Sequence, residues 1–390
     1  MKERMAELRK LGQALEPTAE RRTVWGREVL AHAERFIESV PKGPAFVFSH
    51  HEGQGILESP LSEEPVELEK ALRLLHKHVE GPGGKLGAPG FLGFIPISSL
   101  HTAALGDYLA AVINPFSGNY FASPGAVRLD HLLTRWMAEF IGYPPTAAGD
   151  LTSGGSLSNL SAIVAAREAH GLKAREYEKS VVYLSGQTHH SVSKALRIAG
   201  LSECIQRTVP LDKPCRMRAE ALDKAIRRDR KAGLRPWLVV ATAGATDTGA
   251  VDPMEAIAEV ADQNRLWLHA DGAYGAMFAL CPSARATLAG IELSDSLTLD
   301  PHKGLFMPCG SGAVLVRNGG ALLAAYRYQA SYMQDRSALA SLSETSPSEL
   351  SPELTRPFRG LRLWAFVEIA RRASFPCSPR RKAAPGAIFL

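Results

Sequence analysis

Four short runs in this 390-residue chain carry side chains that could do chemistry. Thr152-Ser153-Gly154-Gly155-Ser156-Leu157-Ser158-Asn159-Leu160 places a Gly-Gly pair and flanking hydroxyls before a helix with apolar spacing. Such a turn lets the backbone approach an anion closely, and the helix N-terminus offers free N–H groups and partial positive charge. Gln187-Thr188-His189-His190 follows an apolar strand, where an imidazole could stack on a planar ring. Leu266-Trp267-Leu268-His269-Ala270-Asp271 is a buried-strand pattern ending in a carboxylate, which could pair with a protonated ring nitrogen and make that ring an electron sink. Leu299-Asp300-Pro301-His302-Lys303 ends another apolar strand in an amine that, once its pKa is lowered, is a nucleophile able to form a Schiff base.

Taken singly, each run is also an ordinary cap or turn. Their shared position decides between the readings, because all four lie at the carboxyl end of a strand, where open α/β sheets bind ligands. Lys303 follows Asp271 by 32 residues, one strand–helix–strand step, so both side chains can face one cleft. A serine-hydrolase G-x-S-x-G and a dinucleotide-binding G-x-G-x-x-G after the first strand are both absent. The His189-His190 and His50-His51 pairs lack Glu or Cys at ligand spacing, so no metal site is expected.

The elements that must hold these runs follow from periodicity. Strands are predicted at 181–184, 237–242, 266–270, 296–299 and 313–316, with helices at 157–170, 218–232 and 253–263 between them. That alternation predicts an α/β fold with a mostly parallel sheet flanked by helices. Two amphipathic helices open the chain, Gly81–Gly87 reads as a linker, 337–351 as a mobile loop, and 358–371 as a last helix. The expected division is an N-terminal helical arm over 1–85, a large α/β domain over 86–318, a loop and the start of a further domain over 319–373, and a disordered tail over 374–390.

Hydrophobic residues make up 45% and charged residues 22% of the chain, as in globular proteins. The net charge of +5 is matched by Arg371, Arg372, Arg380, Arg381 and Lys382 near the end, with no basic stripe elsewhere, which argues against nucleic acid. Five scattered cysteines suggest neither a zinc ribbon nor a disulfide framework, and no apolar run is long enough to span a bilayer. A cytoplasmic protein without a membrane partner is expected.

The motifs together resemble the group II pyridoxal-phosphate-dependent amino-acid decarboxylases, which include aromatic-L-amino-acid, tyrosine, histidine and glutamate decarboxylases. The resemblance runs from about Phe91 to Trp364, through Phe91–Pro96, Ser123-Pro124 and the four runs above. It implies the aspartate aminotransferase-like fold (fold type I), pyridoxal 5'-phosphate as cofactor, an amino-acid substrate and a homodimer. Carried over residue by residue, it makes Lys303 the cofactor-binding lysine, Asp271 the partner of the ring nitrogen, and His189 the ring-stacking imidazole. Ala273 would pack on the other ring face, Gly154, Gly155 and Ser156 would hold the phosphate with Asp300 and His302 near it, and Thr246 would lie close to the cofactor. Phe94, Ile95 and Pro96 would line the substrate pocket, with aromatic substrates preferred. The expected reaction is decarboxylation of an L-amino acid to an amine and CO2. The family's mobile loop often carries a proton-donating tyrosine, and this chain has none after Tyr332. That leaves an aldehyde synthase, or another lyase or transferase using the same cofactor, as an alternative. Members also continue into a small C-terminal domain that is expected to be missing here, so a truncated non-catalytic member is the third reading.

Overall fold

The computed structural model describes residues 1–50, 53–59, 65–93, 95, 99–328 and 345–370. The chain divides into two compact units, Met1–Pro96 and Ile97–Leu390.

The first unit holds helices α1 (Lys2–Ala14), α2 (Ala19–Ser39) and α3 (Leu68–Leu75), and a two-stranded antiparallel ribbon of β1 (Phe46–Val47) and β2 (Gly83–Gly84). The ribbon corrects the reading of Gly81–Gly87 as a plain linker, since Gly83 and Gly84 pair with Val47 and Phe46. Strand propensity gave no hint of this, because glycine is depleted in strands. Helix α2 buries none of its residues, and Val29, Leu30 and Ile37 on its apolar face stay exposed within the chain.

In the second unit, α4 (His101–Ile113) and α5 (Pro124–Ile141) precede a seven-stranded sheet. The elements then alternate: β3 (Ala148–Thr152), α6 (Gly155–Ala169), β4 (Ser180–Ser185), α7 (His190–Ile198), β5 (Ile205–Val209), α8 (Ala219–Lys231), β6 (Arg235–Thr242) and α9 (Met254–Gln263). They continue with β7 (Trp267–Asp271), α10 (Pro282–Arg285), β8 (Ser296–Leu299), α11 (Pro301–Gly304), β9 (Gly312–Val316), α12 (Gly320–Tyr326) and α13 (Gly360–Ala370). The strand order is β3-β9-β8-β7-β6-β4-β5, parallel from β8 to β5, with β9 antiparallel to both of its neighbours. Because β9 runs against both β3 and β8, β3 points the same way as the parallel block, and its carboxyl end opens on the same edge.

The expected mostly parallel α/β sheet is therefore present, and all five predicted strands lie in it. Alternation sorts the strand residues into two cores. Val181, Tyr183, Val239, Ala241, Leu268 and Ala270 face one, while Val182, Leu184, Leu238, Val240, Trp267 and Val314 face the other together with Ile163 and Ala166 of α6. Strand β5 was not anticipated, and β3, implied by placing the glycine-rich run at a strand's carboxyl end, was given no range. The last helix, α13, crosses α4 closely enough that a Cβ on Gly106 would stand 2.7 Å from the Arg362 Cα. Arg362 Nε lies 2.6 Å from Asp107 Oδ1 across that crossing. The predicted loop at 337–351 lies outside the described residues up to 344, and so does the tail at 374–390. No helix among the described residues is long and apolar enough to cross a membrane.

Candidate active site

A cavity of about 280 Å³ opens at the carboxyl ends of β3, β4, β6, β7 and β8. Its lining includes Gly154, Gly155, Ser156, His189, Thr246, Asp271, Ala273, Asp300, His302 and Lys303, which were anticipated from sequence. Ser153, Asn159, Gln187, Ser191, Thr242, Gly244 and Tyr274 complete it. Phe94 and Pro96 lie outside the described residues, and Ile95 belongs to the first unit.

Each side chain is held by the end of a regular element. Gly154 precedes α6 with φ of 142°, a conformation that strains any residue with a Cβ. A Cβ on Gly155 would stand 3.0 Å from both the Ala273 Cβ and Asp300 Oδ2, so the pair of glycines keeps the cradle open. His189 is the N-cap of α7, and its Nδ1 accepts from the Ser191 backbone N–H at 3.3 Å and lies 2.7 Å from Ser191 Oγ. Burial holds the His189 imidazole below its ordinary pKa, and the adjoining His190 adds to the effect.

Asp271 is the last residue of β7 and is 5% exposed. Its Oδ2 accepts from Asn159 Nδ2 at 2.9 Å and its Oδ1 from the Ala273 N–H at 3.2 Å. Lys303, in the short helix after β8, places Nζ 3.3 Å from Asp300 Oδ2. His302 Nε2 lies 3.7 Å from the same oxygen, while its Nδ1–H donates to the Ser311 carbonyl at 2.7 Å. Burial raises the Asp300 pKa despite these two neighbours, because the side chain is almost wholly removed from water. The second oxygen, Asp300 Oδ1, is buried without a hydrogen-bond partner, as is Thr242 Oγ1. Among the described residues, no group of three or more His, Cys, Asp or Glu is placed to hold a metal ion.

Residues 61–373 match the pyridoxal-dependent decarboxylase conserved domain. The chain belongs to the pyridoxal-dependent decarboxylase family. Relatives within it include an aromatic-L-amino-acid decarboxylase of Bacillus atrophaeus, 36% identical over 80% of this chain and 64% of the relative. A phenylacetaldehyde synthase of Petunia hybrida is 31% identical over 80% of this chain and 63% of its own length. The chain thus spans just under two thirds of these curated relatives. Among solved structures, Oryza sativa TDC with PLP and tryptamine superposes with a TM-score of 0.85 at 26% identity, over 92% of this chain and 76% of that one. Catharanthus roseus tryptophan decarboxylase in complex with L-tryptophan superposes with a TM-score of 0.84, also at 26% identity, over 92% and 77%.

The cavity wall and the layer behind it also hold residues that the sequence reading passed over, Asn159 in the wall and His269 behind it. Asn159 was quoted as part of the glycine-rich run and given no role, although as i+4 from Gly155 on α6 it must point the same way as the cradle. His269 lies two residues before Asp271 on the same strand face, a spacing readable in advance.

Proposed function

We propose that this chain binds pyridoxal phosphate through Lys303 and removes CO2 from an L-amino acid, aromatic ones above all. The observation that carries the reading is the convergence of an amine, a buried carboxylate, an imidazole and a glycine-lined helix start on one cavity. The residues present fit the cofactor: Lys303 would hold its aldehyde, Asp271 its ring nitrogen, and His189 and Ala273 its two faces. Gly154, Gly155 and Ser156 would hold its phosphate, with His302 beside it and Thr246 near the ring. Bound there, the cofactor supplies an electron sink for the bonding pair left when CO2 departs.

The chain's own contribution is positioning and charge. Asp271, acceptor-only when ionised, keeps a ring nitrogen protonated and so keeps the sink effective. The Nδ1 of His189 accepts from Ser191, which leaves Nε2 as the ring atom able to donate into the cavity. Asp300 holds the Lys303 ammonium in place before loading. The aromatic preference rests on the similarity to the Bacillus and plant relatives. The aldehyde-synthase alternative rests on the likeness to the Petunia enzyme.

We also propose a cytoplasmic homodimer, which would cover the exposed apolar side chains Tyr108, Val112 and Ile113 on α4. Sedimentation at several concentrations tests it, and a monomer throughout argues against it. For the reaction, the protein is incubated with pyridoxal phosphate and a panel of aromatic and acidic amino acids. Release of CO2 with the matching amine supports decarboxylation. Aldehyde with ammonia moves the reading to the synthase, and absence of every product overturns both.

A further inference from the structure

We infer that Asn159 is a positioning residue whose side-chain amide orients Asp271 and, through Ser191, His189, and that His269 and Thr298 hold that amide in its working direction.

The direction of the hydrogen bonds in this cluster follows from groups that can only donate or only accept, with the one at His269 Nδ1 fixed besides by the neutrality of that buried ring. The Asp271 carboxylate only accepts, so the Asn159 atom 2.9 Å from its Oδ2 must be the Nδ2 amine. Turning the amide over would bring Oδ1 against a carboxylate oxygen. With Nδ2 so placed, its second hydrogen goes to Ser191 Oγ at 2.9 Å. Ser191, having accepted there, has its own hydroxyl hydrogen left for His189 Nδ1 at 2.7 Å. The Ser191 backbone N–H meets the same nitrogen, so His189 Nδ1 is an acceptor and a neutral His189 carries its proton on Nε2.

On the other side, Asn159 Oδ1 needs donors. It receives the Thr298 hydroxyl at 2.7 Å and faces His269 Nε2 at 3.0 Å, which must therefore bear hydrogen. A neutral His269 then has a bare Nδ1, 2.9 Å from Ser296 Oγ. Ser296 can fill it, because the indole N–H of Trp267, a group that only donates, supplies Ser296 Oγ at 2.8 Å. His269 is fully buried, and burial lowers its pKa to about 4, so it stays neutral at physiological pH. Trp267, His269 and Asp271 share one face of β7, with His269 and Asp271 opposite Ser296 and Thr298 of β8 in register. A one-way chain thus runs from the Trp267 indole to the Asp271 carboxylate, and it branches at Asn159 toward His189.

The role given to Asp271 and His189 rests on the cofactor reading above, while the direction of the chain does not. The test uses the 390-residue chain labelled with 15N-histidine, first without and then with pyridoxal phosphate. Resonances are assigned through single substitutions of His189 and His269. Both imidazoles are expected to carry the proton on Nε2 and to leave Nδ1 bare, even without cofactor. The Asn159→Leu variant is expected to mix the two tautomers at both sites and to weaken pyridoxal phosphate binding by roughly tenfold or more, as loss of a bond to a charged acceptor does. His269→Gln, which can still donate to Asn159 Oδ1, should bind the cofactor far closer to wild type than His269→Phe. A proton on Nδ1 of either histidine in the wild-type chain overturns the inference. So does an Asn159→Leu protein whose tautomers and affinity match wild type. If Asn159→Leu does not fold, the wild-type tautomers decide. A wild-type chain that takes up no cofactor yet has both tautomers as stated supports the relay and overturns the cofactor reading instead.

Discussion

Two buried polar clusters in the second unit meet the same problem in opposite ways. Around Asn159, donors and acceptors are matched and one formal charge, on Asp271, accepts from two N–H groups. Around Arg356, the charges are dense and unequal. Its guanidinium, fully buried, binds Asp150 through Nη1 and lies 3.4 Å from Asp130 Oδ2 through Nη2, which also donates to the Leu151 carbonyl at 2.7 Å. The nearby Arg359 is engaged by Glu353 at 2.7 and 2.9 Å. One cation therefore faces two buried acids. Burial, reinforced by Asp150 and opposed by Arg356, lifts the Asp130 pKa to about 7. The first cluster sets directions and the second clamps segments far apart in sequence, tying residues 345–360 to α5 and β3. A buried ion cluster tolerates loss of a member worse than a neutral network does, because the charge left behind is costly.

Breaking the clamp is expected to have the larger effect. Arg356→Met leaves Asp130 and Asp150 buried without their cation and should cost about 3–5 kcal/mol of stability in urea unfolding. A loss no larger than that of an exposed arginine would erase the contrast. Asn159→Leu should cost less, about 1–3 kcal/mol, because the Asp271 carboxylate keeps the Ala273 N–H and the remaining partners stranded are neutral. If it destabilises as much as Arg356→Met, the two clusters are alike in kind.

A smaller effect, resolved by pH, comes from Asp130. The folded chain keeps the Asp130 proton up to about pH 7, while an unfolded aspartate loses it near its ordinary value of about 4. Between those values the folded state binds more protons, so this group's contribution falls as pH rises through that window. Asp130→Asn should flatten stability against pH from about 4 to about 7. An unchanged slope would show that another group titrates there.

The contrast also explains what the sequence disclosed. Strands β4, β6, β7, β8 and β9 are apolar runs buried on both faces, and such runs announce themselves. Strand β3 reads Ala-Gly-Asp-Leu-Thr, and its Asp150 is tolerable only because of Arg356, 206 residues away. No local pattern carries that. Strand β5 is at the sheet edge, where exposed Gln206 and half-buried Arg207 dilute its apolar signal. At the site, most of the anticipated residues that line the cavity stand at strand ends or beside glycines, and were legible. The residues behind them were legible in direction only, from their spacing to Gly155 and Asp271, since the role of Asn159 depends on which atoms of β7, β8 and α7 surround it.

The most direct test of the account is where pyridoxal phosphate attaches. The loaded protein is reduced with borohydride, digested and mapped by mass spectrometry. The account predicts one pyridoxyl adduct, on the peptide containing Lys303, absent from Lys303→Ala. An adduct spread over other lysines, or none on Lys303, would contradict it.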